Sequence, residues 1–341
     1  MAGINPTSSQ PVSFAVLGAG SWGTALAQLL ADNGHPTVLW GRDRRQIEQM
    51  SQSRINDRFL PGTALPEALQ LTFSLETALE RADIPLVVVP SSAFRDLLER
   101  IAALKPGLRQ IAWATKGLEE THFQLLHQVA AGILGNDARM AVISGPNFAG
   151  EVVRRLPTAT TVASNDDGFA GLLVSCLHNG WFRPYSSSDM VGVQLGGALK
   201  NALAIASGIS DGLGFGANAR AALLTRGLAE IMRLAIHMGA QPETLTGLAG
   251  IGDLILTCTD DQSRNRRLGL LLASGKSLPE AQASIGQVVE GVKTAQAAYR
   301  LAAKQQVEMP IIEQVYRMLY EGVSPSEAVR ALLTRETKSE I

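Results

Sequence analysis

Apolar and polar positions change their spacing once along this chain, near residue 189. Before that point short apolar runs recur: VSFAVLG (12–18), TVLWG (37–41), LQLTF (69–73), IPLVVVP (84–90), QIAWAT (110–115) and MAVISGP (140–146). Their apolarity is continuous rather than alternating, which predicts strands of a parallel sheet covered on both faces. Helical stretches separate them, the first from about Trp22 to Asn33, so the order predicts right-handed βαβ units. TATTVAS (158–164) and FRPYSS (182–187) read as added edge strands. Beyond them strand signals cease, and 189–209, 218–238, 263–274, 292–304, 310–320 and 324–333 all favour helix, with Gly, Pro, Asn and Ser between them. The predicted fold class is α/β: an N-terminal doubly wound parallel-sheet domain followed by an all-α C-terminal domain. The expected division is an extended or disordered segment at 1–11, a sheet domain at 12–190 and a helical domain at 191–335.

Composition narrows the partners. The 341 residues carry 30 Lys plus Arg against 31 Asp plus Glu, a formal net charge of −1, which argues against nucleic acid or an anionic membrane and for small molecules. Cys176 and Cys258 lie far apart, outside any metal or redox motif, and fit a reducing compartment. The first residues, MAGINPTSSQPVS, lack the apolar core of a signal peptide, and no run approaches the length of a membrane span. A cytoplasmic location is expected. The five histidines are scattered and no His/Cys spacing suits a metal, so none is expected.

The first chemical signal is Gly18-Ala19-Gly20-Ser21-Trp22-Gly23, a full G-x-G-x-x-G between the first predicted strand and helix. Gly18 and Gly20 allow a tight turn and close approach of backbone N–H groups to a pyrophosphate. Gly23 lets the helix pack on the strand with its amino-terminal dipole facing the anion. That context makes the sheet domain Rossmann-type; the bland alternative is a structural glycine turn. Trp22 fits either the core or the edge of a cofactor. At the end of the second strand, where an NAD-selective fold expects an acid, stand Arg42 and then Asp43. Arginine there suits a 2′-phosphate through planar charge-assisted bonds, although RDRR (42–45) also fits a solvated helix start. NADPH is the preferred cofactor on this reading, with NADH possible.

The second signal is polar residues in apolar helical surroundings. Lys200, followed by Asn201, lies within QLGGALKNALAIASG (194–208), on a face shared with Gly196, Gly197, Leu203, Ala204 and Ser207. A snorkelling lysine and a lysine whose pKa is lowered for proton exchange both fit. Lys116 directly follows a predicted strand, at the edge where such sheets bind ligands. SGPNFAGE (144–151) ends another strand, Asp253 interrupts GLAGIGDLILTC (247–258), and Arg264 and Asn265 in SRNRRLG (263–269) begin a helix suited to an anion clamp.

Together GAGSWGTALA, ATKGLE, SGPNFAGEV, GGALKNALAIASGISDGLGFGANARAALLTRGLAE, GLAGIGDL, SRNRRLG and GQVVEGV resemble the bacterial-type NAD(P)-dependent glycerol-3-phosphate dehydrogenases, over residues 12 to 335. The resemblance implies an oxidoreductase that interconverts sn-glycerol 3-phosphate and dihydroxyacetone phosphate, supplying glycerol 3-phosphate for phospholipid synthesis. It implies Lys200 as the proton acceptor in oxidation, Lys116 beside the reacting carbon, and Asp253 on the lysine pair or the substrate hydroxyl. Ser263, Arg264 and Asn265 would take the substrate phosphate, with Arg264 reaching the cofactor. Gly145, Asn147 and Ala149 match substrate and cofactor contacts, many relatives having Ser at the second. Ser21, Trp22, Arg42, Val288 and Glu290 match dinucleotide contacts. A solvated helix-start acid is the plain alternative for Glu290, and Arg58 is a further residue near the 2′-phosphate. A homodimer joined through 218–238 is expected, against a monomer with that helix internal. The competing reading is a redox sensor that holds NADPH without turnover; within enzymes, it is a reductase of another small phosphorylated or hydroxy-acid substrate.

Overall fold

A computed structural model describes residues 11–336; the expected segment at 1–11 lies, but for Pro11, outside the described residues. Among the described residues are ten strands: β1 (Phe14–Leu17), β2 (Thr37–Trp40), β3 (Ile55–Asn56), β4 (Leu60–Ala64), β5 (Gln70–Thr72), β6 (Ile84–Val87), β7 (Gln110–Trp113), β8 (Arg139–Ser144), β9 (Thr158–Ser164) and β10 (Phe182–Ser187). Eight of them form one sheet in the order β10-β9-β8-β7-β6-β1-β2-β5. From β5 through β8 neighbours are parallel, while β9 runs antiparallel to β8 and parallel to β10. The sheet is therefore mixed, and β9 is an interior strand where an edge strand was expected. The order reverses on the two sides of β1, which opens a crevice at its carboxyl end.

The apolar runs are continuous because both sheet faces are covered. Phe14 and Val16 join one buried cluster, Ala15 and Leu17 the other. All four are at most 1% exposed, so each large side chain contributes on the order of 1.5–3 kcal/mol by burial. Residues 55–64 form a separate antiparallel hairpin, β3–β4, which the sequence pattern did not announce. Its strands are too short to show alternation, and the second carries Pro61 and Gly62.

After β10 the chain is helical. Asp189 begins the central helix Met190–Gly212, its carboxylate accepting from Gly192 N at 2.7 Å and Gln241 N at 2.9 Å. This helix is buried on every side from Gly192 to Ser210, not on one face, because helices Gly216–His237, Asp253–Thr259, Arg264–Ala273, Glu290–Lys304 and Pro310–Tyr320 surround it. Glycines permit the closest crossing: a Cβ on Gly208 would lie 2.1 Å from Arg266 O, and one on Gly269 2.1 Å from Ile205 O. Leu118 and Leu125, from the segment after β7, join the helical core and tie the two halves together. The sequence reading also passed over the helical turn Leu248–Gly252 and helix Asp253–Thr259. Their glycines suggest a break, yet a Cβ on Gly250 would meet Leu245 O at 2.0 Å, so close packing requires glycine there.

Candidate active site

The glycine loop fills the turn between β1 and helix Ser21–Asp32. Gly18 has φ +135°, and a Cβ there would lie 2.2 Å from Val88 O; one on Gly23 would lie 1.9 Å from Gly18 O. A Cβ on Gly20 would meet nothing within 4 Å, and no side chain caps the helix at this residue. Two glycines thus serve packing, while the third leaves open space over a helix amino terminus. That is the geometry a pyrophosphate needs, so the loop fits a dinucleotide. The loop is propped from beneath by residues the sequence reading missed. Gln46 donates to Ala19 O at 2.8 Å, and the fully buried Asn56 donates to the same oxygen at 3.1 Å and to Thr24 Oγ1 at 2.8 Å. Their offset of 27 and 37 residues from Ala19 leaves no local pattern to find.

The loop joining β3 and β4 leans on the same place, where Ser21 Oγ donates to Phe59 O at 2.8 Å. Arg58 lies 5.1 Å from the Phe59 ring centroid. Arg42 is exposed at the end of β2, whereas Asp43 caps helix Arg44–Ser53 by accepting from Arg45 N at 3.0 Å. The acid beside the ribose position is thus already engaged with backbone. Trp22 is half-buried against the sheet core, and its indole Nε1 is buried without a hydrogen-bond partner.

Across the carboxyl edge of the sheet stands a buried array of charges. Lys116 Nζ donates to Asp253 Oδ2 at 2.6 Å and to Gly145 O at 3.0 Å. Lys200 Nζ donates to Asp253 Oδ1 and, at 2.7 Å, to Thr257 Oγ1, whose hydroxyl in turn donates to Asp253 O at 2.7 Å. One carboxylate therefore bridges two ammonium groups delivered by the end of β7 and by the central helix. Lys200 is 6% and Asp253 1% exposed, so neither snorkels. Burial, with Lys116 adding to it, pushes the Lys200 pKa down to about 8 against the opposing pull of Asp253. Thr257 was missed in the sequence, though its place four residues beyond Asp253 on one helix face was a usable signal.

The remaining predicted residues divide. Asn265 donates to Asn201 Oδ1 at 2.9 Å and accepts from Gly291 N at 2.9 Å, which locks the start of helix Arg264–Ala273 to the central helix. Ser263 caps that helix by accepting from Arg266 N at 3.2 Å, and Arg264 donates to Gln287 Oε1 at 3.3 Å. Glu290 is half-buried rather than a freely solvated acid. Burial raises its pKa, opposed by Arg264, Lys116 and Lys200, which places it in their field. Val288 is 56% exposed. Asn147 is turned onto β9, donating to Ala159 O at 2.8 Å and accepting from Thr160 Oγ1 at 3.0 Å, and Ala149 opens the next short helix. Among the described residues no cluster of three His, Cys, Asp or Glu could hold a metal ion, and no helix is long and apolar enough to cross a membrane.

A dinucleotide crevice at a switch point, faced by a buried lysine–carboxylate–lysine array, belongs to a two-domain dinucleotide-binding protein with ionisable chemistry beside the cofactor. Comparison with known proteins narrows the class. Residues 13–170 match the family model described as NAD-dependent glycerol-3-phosphate dehydrogenase N-terminus, and 189–330 the corresponding C-terminus. The chain is 57% identical to a glycerol-3-phosphate dehydrogenase [NAD(P)+] of Thioalkalivibrio sulfidiphilus, covering 97% of this chain and 99% of that protein. It is 54% identical to one of Methylococcus capsulatus, over 96% and 98%. A crystal structure of glycerol-3-phosphate dehydrogenase from Coxiella burnetii superposes with a TM-score of 0.93 at 49% identity, over 95% of this chain and 99% of that one. The chain belongs to the NAD-dependent glycerol-3-phosphate dehydrogenase family. A ketopantoate reductase from Ralstonia eutropha, at 12% identity and a TM-score of 0.59 over 93% and 99%, shares the fold alone.

Proposed function

We propose that this chain interconverts sn-glycerol 3-phosphate and dihydroxyacetone phosphate with NAD(P)(H). The observation that carries the reading is Asp253 bridging Lys116 and Lys200 beside the glycine-loop crevice. In oxidation Lys200 Nζ, neutral, takes the proton of the substrate hydroxyl on carbon 2, and in reduction its ammonium returns that proton to the ketone oxygen. A nicotinamide dinucleotide held over the Gly18–Gly23 loop would supply the hydride for reduction or accept it in oxidation. Lys116 holds the same oxygen and stabilises charge developing on it in reduction. Asp253 keeps the two lysines apart and aimed, with Thr257 fixing the Lys200 side chain. Two ammonium groups so close favour one of them neutral, which suits a proton exchanger.

Ser263, Arg264 and Asn265 receive the substrate phosphate at a helix start, and Gly145 and Asn147 are further substrate contacts. Gly18, Gly20, Ser21, Trp22 and Gly23 hold the dinucleotide, joined by Lys116, Ala149, Arg264, Val288 and Glu290. NADPH is preferred, because Arg42 is exposed at the ribose position while Asp43 is spent on a helix cap. The sheet unit, 12–190, binds cofactor, and the helical unit, 191–335, binds substrate and pairs with a second copy through helix Gly216–His237. Only Gly227, Glu230, Ile231, Leu234 and Ala235 of that helix are buried within one chain. The product serves phospholipid synthesis in the cytoplasm.

The deciding assay follows the near-ultraviolet absorbance of the reduced nicotinamide on adding dihydroxyacetone phosphate. Rapid loss of the signal, with little loss on adding unphosphorylated dihydroxyacetone, is the expected result. Binding of NADPH without turnover would mean a sensor, and equal rates with both ketones would mean another substrate.

A further inference from the structure

Arg266 stands two residues beyond Arg264, and its side chain is committed to the far side of the helix start. We propose that Arg266 is a positioning residue that aims the phosphate-binding helix start and so sets selectivity for the phosphorylated substrate. The inference rests on the reading of Ser263, Arg264 and Asn265 as the phosphate clamp.

Arg266 is only 9% exposed, and its guanidinium ties three elements together. Its Nε donates to Asp261 Oδ1 at 2.9 Å, in the loop just before the clamp. Its Nη1 donates to Asp211 Oδ2 near the end of the central helix and to Cys258 O at 3.4 Å. Asp211 Oδ2 also accepts from Arg220 Nη1 at 2.9 Å, so the anchor on the central helix is itself held. Cys258 is the residue after Thr257, on the helix that carries Asp253. Arg266 thus spans the joint between the helix of the bridging carboxylate and the helix that begins at Arg264.

The Gly208–Gly269 crossing, which reaches back to Arg266 O, and the bonds of Asn265 to Asn201 and Gly291 already fix the axis and first turn of helix Arg264–Ala273. In the loop Asp260–Gln262, from which Ser263 and Arg264 are delivered, Ser263 N donates to Asp260 O and Gln262 Nε2 to Glu151 Oε1, and Arg266 supplies the tie at Asp261. A buried ion pair contributes little net stability, and an apolar side chain of similar size would pack there as well. An apolar side chain would not join Asp261, Asp211 and the Cys258 carbonyl, which the guanidinium fork does. Direction, not cohesion, is what this arginine adds.

The test compares kcat/KM for dihydroxyacetone phosphate and for unphosphorylated dihydroxyacetone, with melting temperature, in Arg266→Met, Arg266→Lys and Asp261→Asn. Asp261 has a side chain 71% exposed, so Asp261→Asn keeps the assay decisive if Arg266→Met fails to fold. Selectivity for the phosphorylated ketone should fall about tenfold in Arg266→Met, roughly the loss of one charge-assisted hydrogen bond at the clamp. It should fall about threefold in Asp261→Asn and recover partly in Arg266→Lys, with rates on dihydroxyacetone within about twofold of the parent. Unchanged selectivity in Asp261→Asn, or parallel loss on both ketones in Arg266→Met, would overturn the proposal. Arg264→Ala, run alongside, must itself collapse the selectivity. If it does not, the clamp reading fails and the role of Arg266 falls with it, whereas a collapse there with unchanged Arg266 variants rejects the positioning role alone.

Discussion

The two walls of the site are built from opposite materials. The dinucleotide wall is made by absence: Gly18 and Gly23 omit side chains that would strike backbone at 2.2 and 1.9 Å, and Gly20 leaves room for a ligand. The substrate wall is made by charge at the edge of the core, with the buried Asp253 holding the buried Lys200 and the partly buried Lys116. A cradle of backbone needs only a turn and a helix end, so it is local in sequence. A buried charge array must be neutralised by groups from separate elements, so it is dispersed, and its members depend on one another.

The largest effect should come from the charged wall. Lys200→Met keeps length and helix propensity while removing the proton and the charge. Turnover should fall by about 10²–10⁴ while NADPH binding changes little. Removing a dehydrated ammonium should leave the melting temperature level or higher, because Asp253 keeps Lys116 as its ion-pair partner and the Thr257 hydroxyl as a donor. Near-normal turnover with a changed melting temperature would reduce Lys200 to a packing residue.

On the glycine wall the prediction separates ligand space from packing. Gly20→Ala should leave the melting temperature unchanged and weaken the cofactor on the order of tenfold, by holding the pyrophosphate off the helix start. Gly23→Ala should instead lower stability before any binding is measured, because no shift of Gly18 O can admit its methyl group cheaply. Thermal denaturation with and without NADPH distinguishes them. Equal destabilisation in both variants would remove the reason for placing the pyrophosphate over Gly20.

Legibility followed the same division. The glycine loop, the apolar strands and the late helices could be read directly, because each is set by residues close in sequence. The doubly wound order followed from the strand and helix alternation. The antiparallel insertion of β9 did not, since TATTVAS carries no mark of its direction. Lys116, Lys200 and Asp253 were visible singly as oddities, and the resemblance grouped them. Their actual joint spans 137 residues from Lys116 to Asp253. Gln46, Asn56 and Thr257 were missed because a polar residue that props a loop or a lysine looks like any surface residue until its burial is known.

A smaller effect belongs to the rim of the glycine wall. Arg42→Ala should weaken NADPH about tenfold and leave NADH nearly unchanged, as expected for one exposed arginine meeting a 2′-phosphate. Steady-state constants for the two cofactors provide the check. Equal loss for both would move the 2′-phosphate to another residue, such as Arg58 on the β3–β4 loop.

The proton exchange assigned to Lys200 is tested most directly by the pH dependence of kcat/KM in both directions. Lys200 is held at about 8, so its neutral form, needed for oxidation, grows as pH rises through that value. Its ammonium, needed for reduction, is present below that value and lost above it. Oxidation of glycerol 3-phosphate should therefore climb with pH and level off above about 8, and reduction of dihydroxyacetone phosphate should hold level and then fall through the same inflection. Both features should vanish from the residual activity of Lys200→Met. The same inflection persisting in that variant, or identical profiles in the two directions, would contradict Lys200 as the group that carries the proton.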